Sequence, residues 1–289
     1  MNEKDRELKI VELYKSGVTS KQICKECRCS TNTISKILDK YNIPKRAKRK
    51  TNKNFDKFKD LSLPETQYWL GFICADGSIV YNPEKRRYNV SLYSKDKEVM
   101  DKYLKYFGEE TVSIYQRKDN GLYQASIDSK ELAEYFINTL NITPNKSLTL
   151  DPKIEFTTNF ILGYFDGDGS IRNSSEERTR YECNITSGSK PFLEKIQSIM
   201  DDEGIYSIIY KHPDCNAYKI RIDRKADSEL FYRWLYKDAV VCLSRKLRNF
   251  VALYGNIENK KLGELQEILK ENLQPSVPLT KDEGSETNS

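Results

Sequence analysis

The sequence predicts an α+β protein: a duplicated, pseudo-symmetric αββαββα unit with antiparallel sheets, preceded by a small all-α module. Three observations carry that prediction. The segment Trp69-Leu-Gly-Phe-Ile-Cys-Ala-Asp-Gly-Ser-Ile79 returns as Ile161-Leu-Gly-Tyr-Phe-Asp-Gly-Asp-Gly-Ser-Ile171, with Asp76 and Asp168 92 residues apart. After each copy, runs such as Tyr-Asn-Val-Ser-Leu-Tyr (88–93) and Tyr-Lys-Ile-Arg-Ile-Asp (218–223) alternate apolar with polar or basic residues, the period of a strand with one covered face. Ahead of both copies, residues 1–43 show only helical spacing.

The first module divides into three short helices. Residues 4–16 place Leu8, Ile10, Val11, Leu13 and Tyr14 at helical spacing, and Gly17 ends the run. Ser20 is expected to cap a helix running to about Cys27, and Ser30 the next, whose apolar face is Ile34, Ile37, Leu38 and Tyr41. The tight turn between the second and third resembles a helix-turn-helix of the resolvase or sigma-factor type, with Arg28 at a position usually given to glycine. That resemblance would send the third helix into a major groove, leading with Thr31, Asn32, Thr33 and Lys36. Cys24, Cys27 and Cys29 contain half of a zinc motif. No second Cys/His pair lies near and His212 is the only histidine, so all three read as small core hydrophobes.

Residues 44–60 form a basic linker. Pro44 to Lys53 carries six cations and no acid, either a solvated connector or an arm presenting Lys45, Arg46, Lys48 and Arg49 to nucleic acid. The first half of the duplication, residues 61–150, opens with a helix at about 64–75, started by Pro64. Then follow strands 78–81 and 88–94 around a turn at 82–87, a helix 95–107, strands 111–117 and 122–128 around Asn120-Gly121, and a helix 129–140. The second half, residues 151–256, repeats the order: a helix to Gly167, strands from Ser170 and at 180–186, a helix 190–202, strands 206–211 and 217–223, and a helix 227–236. Residues 257–289 are expected to give a C-terminal helix and, from about 272, a disordered tail.

Composition narrows the classes. No stretch approaches the roughly 20 apolar residues of a membrane span, and the N-terminus lacks the apolar core of a signal peptide. Seven irregularly spaced cysteines argue against a disulfide framework and for a reducing cytosol; the expected location is a cytoplasm of bacterial or phage type. A net charge of +5 with nineteen tyrosines suits a nucleic-acid partner.

The repeated segment carries the chemistry. Gly71 and Ala75, and likewise Gly163 and Gly167, are four apart and share a helix face. Small residues there let two helix backbones approach closely, while Trp69, Leu70, Phe72, Ile73 and Ile161, Leu162, Tyr164, Phe165 fill the two half-cores. Packed this way, Asp76 and Asp168 meet at the helix C-termini. Such a place disfavours acids by up to about 1 kcal/mol each, and the two repel each other. A purely structural role would favour lysine or asparagine. Acids in both copies imply a bound cation, and oxygen ligands favour Mg²⁺, or another divalent metal, with waters and a phosphate. A metal so held can activate water and stabilise the leaving oxygen of a phosphodiester.

These residues resemble the LAGLIDADG family of homing endonucleases in its monomeric two-motif form, over about residues 60–255. The resemblance implies two four-stranded sheets forming a saddle over the DNA major groove, with Asp76 and Asp168 as ligands of the catalytic metals. The family's earlier acid, not a metal ligand, is Cys74 in the first copy and Asp166 in the second. A lysine late in each half would act near the centre, for which Lys146 and Lys246 are candidates unless they are ordinary surface lysines. Arg86, Arg87, Arg117, Lys118, Arg172, Arg178, Arg180, Lys211, Lys219 and Arg221 lie on predicted strands or turns, as phosphate and base contacts require.

The expected activity is site-specific cleavage of both strands of double-stranded DNA at a long, asymmetric target by a monomer, with the helix-turn-helix adding contacts. Two other readings are a non-cleaving transcription regulator, against which both acids argue, and an intron maturase that binds structured RNA. An intein is not expected, because the chain begins Met-Asn-Glu and shows no terminal splicing residues.

Overall fold

A computed structural model describes residues 3–45, 54–108, 111–173, 181–259 and 262–263. The chain divides into two units, Met1–Thr51 and Asn52–Ser289. The first holds α1 (Glu3–Lys15), α2 (Ser20–Cys27) and α3 (Thr31–Lys40) around Ile10, Val11, Ile23, Cys27, Ile34 and Leu38. The cap of α2 is Thr19 rather than Ser20. Thr19 Oγ1 accepts from the Gln22 amide at 3.3 Å and Gln22 Oε1 accepts from the Thr19 amide at 3.2 Å. This reciprocal pair satisfies two otherwise orphaned donors, which a serine one residue later cannot do. Ser30 caps α3 as expected, accepting from Thr33 N at 3.1 Å.

Arg28 adopts the left-handed conformation, φ 45° and ψ 52°. Arg6 holds that turn by donating to the Cys27 carbonyl at 3.0 Å and the Arg28 carbonyl at 2.6 Å. Cys27 is buried, whereas Cys24 and Cys29 pack at the rim of the core. All seven cysteines are free thiols, and no cluster of three or more metal-ligating side chains occurs among the described residues.

In the second unit the expected connector contains a short 3-10 turn, Asn54–Lys59. Phe58 in it is fully buried and stacks on Phe107 with ring centroids 4.4 Å apart. Six residues are too few for periodicity to reveal it. Then come α4 (Pro64–Asp76), β1 (Gly77–Asn82), β2 (Arg87–Ser94), α5 (Lys97–Phe107), β3 (Ser113–Gln116), β4 (Tyr123–Ile127) and α6 (Lys130–Asn138). The repeat gives α7 (Thr158–Asp168), β5 (Gly169–Asn173), β6 (Tyr181–Ser187), α8 (Lys190–Asp202), β7 (Ile208–Lys211), β8 (Tyr218–Ile222) and α9 (Lys225–Tyr236). Both sheets are antiparallel, in the orders β1-β2-β4-β3 and β5-β6-β8-β7.

Alternation sets the two faces of each sheet. Val90, Leu92, Ala125 and Ile127 in one, and Cys183, Ile185, Ile220 and Ile222 in the other, turn inward and are buried. One helix, α10 (Ser244–Tyr254), was not anticipated. Its buried face, Lys246, Leu247, Phe250 and Val251, includes a lysine that hides the apolar spacing. Asn259 holds the following segment by donating to the Tyr236 and Ala239 carbonyls at 2.8 and 3.0 Å. The expected tail, with the rest of residues 264–289, lies outside the described residues. No described helix is long and apolar enough to cross a membrane.

Candidate active site

The site is built on the contact between α4 and α7. A methyl group added at Gly71 would lie 2.0 Å from the Phe160 carbonyl oxygen, and one at Gly163 would lie 1.9 Å from the Tyr68 carbonyl oxygen. The helices therefore meet backbone to backbone at two pseudo-equivalent points. Further along, a methyl at Gly167 would lie 2.4 Å from Ala75 Cβ. Each helix ends on its acid: Gly77 N donates back to Ile73 O, and Gly169 N to Phe165 O. The four small residues thus sit where the sequence predicts, and Asp76 and Asp168 emerge half-buried at adjacent helix ends.

Burial raises both carboxyl groups above the ordinary carboxylate value. At Asp76 the Lys246, Lys146 and Arg245 cations oppose that rise. Asp168 is pushed up to about 6, by burial first and then by repulsion from Asp76, against the pull of Lys146 and Lys246. Among the described residues no set of three or more His, Cys, Asp or Glu side chains converges here. A cation at this place would have two carboxylates from the protein and complete its shell with water and ligand oxygens. That all-oxygen set, with two like charges to neutralise, fits a hard divalent ion.

Lys146 and Lys246 are not surface lysines: they are 8% and 2% exposed. Lys146 Nζ, on a 3-10 turn (Lys146–Leu148), donates to the Gly77 carbonyl at 2.8 Å and the Ala75 carbonyl at 3.4 Å. Lys246 Nζ, on α10, donates to the Phe165 carbonyl, to Asp166 O at 2.9 Å and to Gly169 O at 2.7 Å. Each ammonium caps the C-terminus of the motif helix in its own half, supplying the positive charge that a helix end favours. Burial lowers both lysines below the ordinary ammonium value, Lys246 to about 8 with Asp166 as its main opposing charge. The cost of placing acids at helix ends is therefore offset from below.

The contacts of Asp166 and the place of Arg245 were not legible in the sequence. Asp166 is buried and accepts from the Tyr68 hydroxyl at 2.9 Å and the Leu243 amide at 2.7 Å. A cleft of about 230 Å³ beside Asp76 is lined by Phe72, Tyr93, Ser94 and Arg245, the last paired with Asp96 at 3.0 Å. Arg245 had no periodic signal in the sequence, because Lys246 interrupts the apolar face of the helix that carries both.

The solvent faces of the sheets carry the remaining candidates. By register Arg87 shares the outer face of the first sheet with Asn89, Ser91, Gln124 and Ser126. These form a preset polar network: Ser91 and Ser126 hydroxyls lie 2.8 Å apart, and Gln124 Nε2 donates to both at 3.2 and 3.0 Å. Arg86 occupies the β1–β2 turn at φ 48°. Arg117 is paired with Asp119 at 2.7 Å, and Lys118 lies in the same β3–β4 turn. On the second sheet Lys219 and Arg221 face outward beside Thr186 and Asn184, and Arg221 stacks over Tyr210 with its carbon 5.5 Å from the ring centre.

Lys211 departs from expectation. It stands opposite Tyr218 in the register, on the side of Ile209 and Ile220, because Tyr210 pairs with Lys219 on the outer face and alternation turns the next residue the other way. Arg172 lies in β5 opposite Glu182. Arg46, Lys48, Arg49, Arg178 and Arg180 fall outside the described residues. In the first unit Thr31, Asn32 and Lys36 are exposed, whereas the Thr33 hydroxyl is 2.9 Å from Ser30 within the cap of α3. Lys45 is paired with Asp39 at 2.8 Å.

Comparison with known proteins gives two family matches: a LAGLIDADG-like domain over residues 64–141 and 155–252, and a homeodomain-like domain over residues 1–47. A protein of Methanocaldococcus jannaschii, MJ0398, is 23% identical over 272 residues, covering 90% of this chain and 92% of that one. Among solved structures, mesophilic variants of the homing endonuclease I-DmoI are 18% identical with a TM-score of 0.45, over 61% of this chain and 96% of theirs. The meganuclease I-SmaMI bound to DNA is 15% identical with a TM-score of 0.42, over 72% of this chain and 88% of its own.

Proposed function

Because the chain belongs to the LAGLIDADG-like domain family, matched once in each half, we propose that it is a site-specific DNA endonuclease that cuts both strands of a long, asymmetric target. The observation that carries this reading is the convergence of Asp76 and Asp168 at the ends of two helices in backbone contact, each helix end seated on a buried lysine. That arrangement concentrates charge where a stable fold has no need of it.

Asp76 and Asp168 would hold Mg²⁺ or a similar divalent ion, which when bound supplies the charge that activates water and stabilises the leaving oxygen. The chain's own residues do the rest. The outer sheet faces, through Arg87, Asn89, Lys219 and Arg221, bind and orient the duplex. The rigid α4–α7 contact fixes the spacing of the two acids. Lys146 and Lys246 keep the carboxylates ionised and lend positive potential to the charge that develops on the scissile phosphate. The N-terminal unit adds contacts through the exposed start of α3, and one chain supplies both centres.

The test is incubation of the protein with Mg²⁺ and a randomised plasmid library, followed by sequencing of the ends produced. Linear product with a shared sequence at its ends is expected. Sequence-selective binding with no cut product would instead establish a non-cleaving DNA-binding protein and end the nuclease reading.

A further inference from the structure

The two halves differ at one buried connection. Asp166 Oδ2 accepts from the Tyr68 hydroxyl, which belongs to the motif helix of the other half, at 2.9 Å and from Leu243 N at 2.7 Å. Leu243 is the N-cap residue of α10, and three residues later Lys246 reaches under the end of α7. At the pseudo-equivalent positions the first motif has Cys74 and the second motif helix has Phe160. Neither the carboxylate nor the hydroxyl exists there, so this bond has no counterpart. Lys146 stands instead on a three-residue 3-10 turn entered through Asn145 at φ 59°, with two carbonyl acceptors rather than three.

Stability does not account for the difference. A buried carboxylate is costly to desolvate, and the pseudo-equivalent position holds a small neutral side chain, Cys74, that is buried as well. What Asp166 adds is a fixed start for α10, tied across the halves to α4. Side chains locked by such bonds hold reacting groups in place, and small displacements cost rate.

We infer that the Tyr68–Asp166–Leu243 bridge is a positioning unit for α10 and the Lys246 it carries, with no counterpart at Lys146, which makes the two centres unequal so that one DNA strand is cut before the other. The inference rests on the endonuclease reading. Tyr68→Phe removes one hydroxyl and leaves the ring in the core. In the full-length protein it is expected to raise amide hydrogen exchange across residues 241–250 about tenfold and leave residues 143–150 unchanged. On a target taken from the plasmid library, with the strands labelled separately, it is expected to slow one strand about tenfold more than the other.

Asp166→Asn keeps an acceptor oxygen and is expected to retain the wild-type exchange across residues 241–250. Cys74→Asp with Phe160→Tyr supplies the carboxylate and hydroxyl that the first half lacks and is expected to bring the two strand rates closer together. Unchanged exchange in Tyr68→Phe overturns the inference whatever the cutting, as does an equal loss on both strands. Failure of the wild type to cut any DNA overturns the endonuclease reading, and the exchange measurement still decides whether the bridge anchors α10.

Discussion

Gly71 presses against the main chain of Phe160: a methyl group there would sit 2.0 Å from the carbonyl oxygen, and Gly163 repeats the contact on Tyr68 at 1.9 Å. Backbone atoms cannot move aside as a side chain tip can, so the helix pair must separate to admit a Cβ. Gly71→Ala and Gly163→Ala are each expected to cost at least ~3 kcal/mol, read as the shift in urea midpoint. At Gly167 the clash is with Ala75 Cβ, a single methyl. Gly167→Ala combined with Ala75→Gly is expected to recover most of the stability lost by Gly167→Ala alone, and additive losses in the double variant would refute that contact.

Asp76→Asn and Asp168→Asn preserve shape and remove charge at the helix ends. Each is expected to leave DNA affinity within about threefold of wild type and to lower double-strand cleavage at least ~100-fold. Gel-shift titration and plasmid linearisation measure the two effects separately. Wild-type linearisation by either variant would remove that acid from the mechanism.

Lys246→Met keeps the stem and deletes the ammonium that serves the Phe165, Asp166 and Gly169 carbonyls. It also strands the Asp166 charge, so a loss of ~3 kcal/mol or more is expected. Lys146→Met frees only the Ala75 and Gly77 carbonyls and is expected to cost less. Thermal melts of the two variants check the order.

The pH dependence follows from the signs of the shifts. Asp168 and Asp166 are each raised from 3.8 to about 6, so between those values the folded state holds more protons than the unfolded, and stability falls as pH rises from about 4 to 6. Lys246 is lowered from 10.5 to about 8, so its effect is to raise stability as pH climbs above 8. The site contributes least between about pH 6 and 8, where all its groups are charged. In EDTA, Asp168→Asn is expected to gain on wild type by up to ~3 kcal/mol as pH rises from 4 to 7. Parallel urea midpoints over that range would disprove it.

The sequence was legible wherever neighbours along the chain set the structure. Gly71, Ala75, Gly163 and Gly167 share a face through helix geometry alone, and the acids following them had to emerge at the helix ends. Val90 with Leu92, and Ile220 with Ile222, fixed the strand phase by simple alternation. Thr19 shows the limit of local reading: Ser20 has the right chemistry, but only the residue three before Gln22 closes the reciprocal cap.

By itself, then, the sequence determined the duplication, the helix pair and the two converging acids, because close packing and periodicity are written in residues three, four or two apart. Only the tertiary structure decided where Lys146 and Lys246 go, since their acceptors lie 69 to 81 residues away. It alone tied Asp166 to Tyr68 and Leu243, at separations of 98 and 77 residues. Periodicity reports which face of an element is apolar. The destination of a buried charge depends on which carbonyl, amide or hydroxyl the fold brings beside it, because an unpaired charge cannot stay buried.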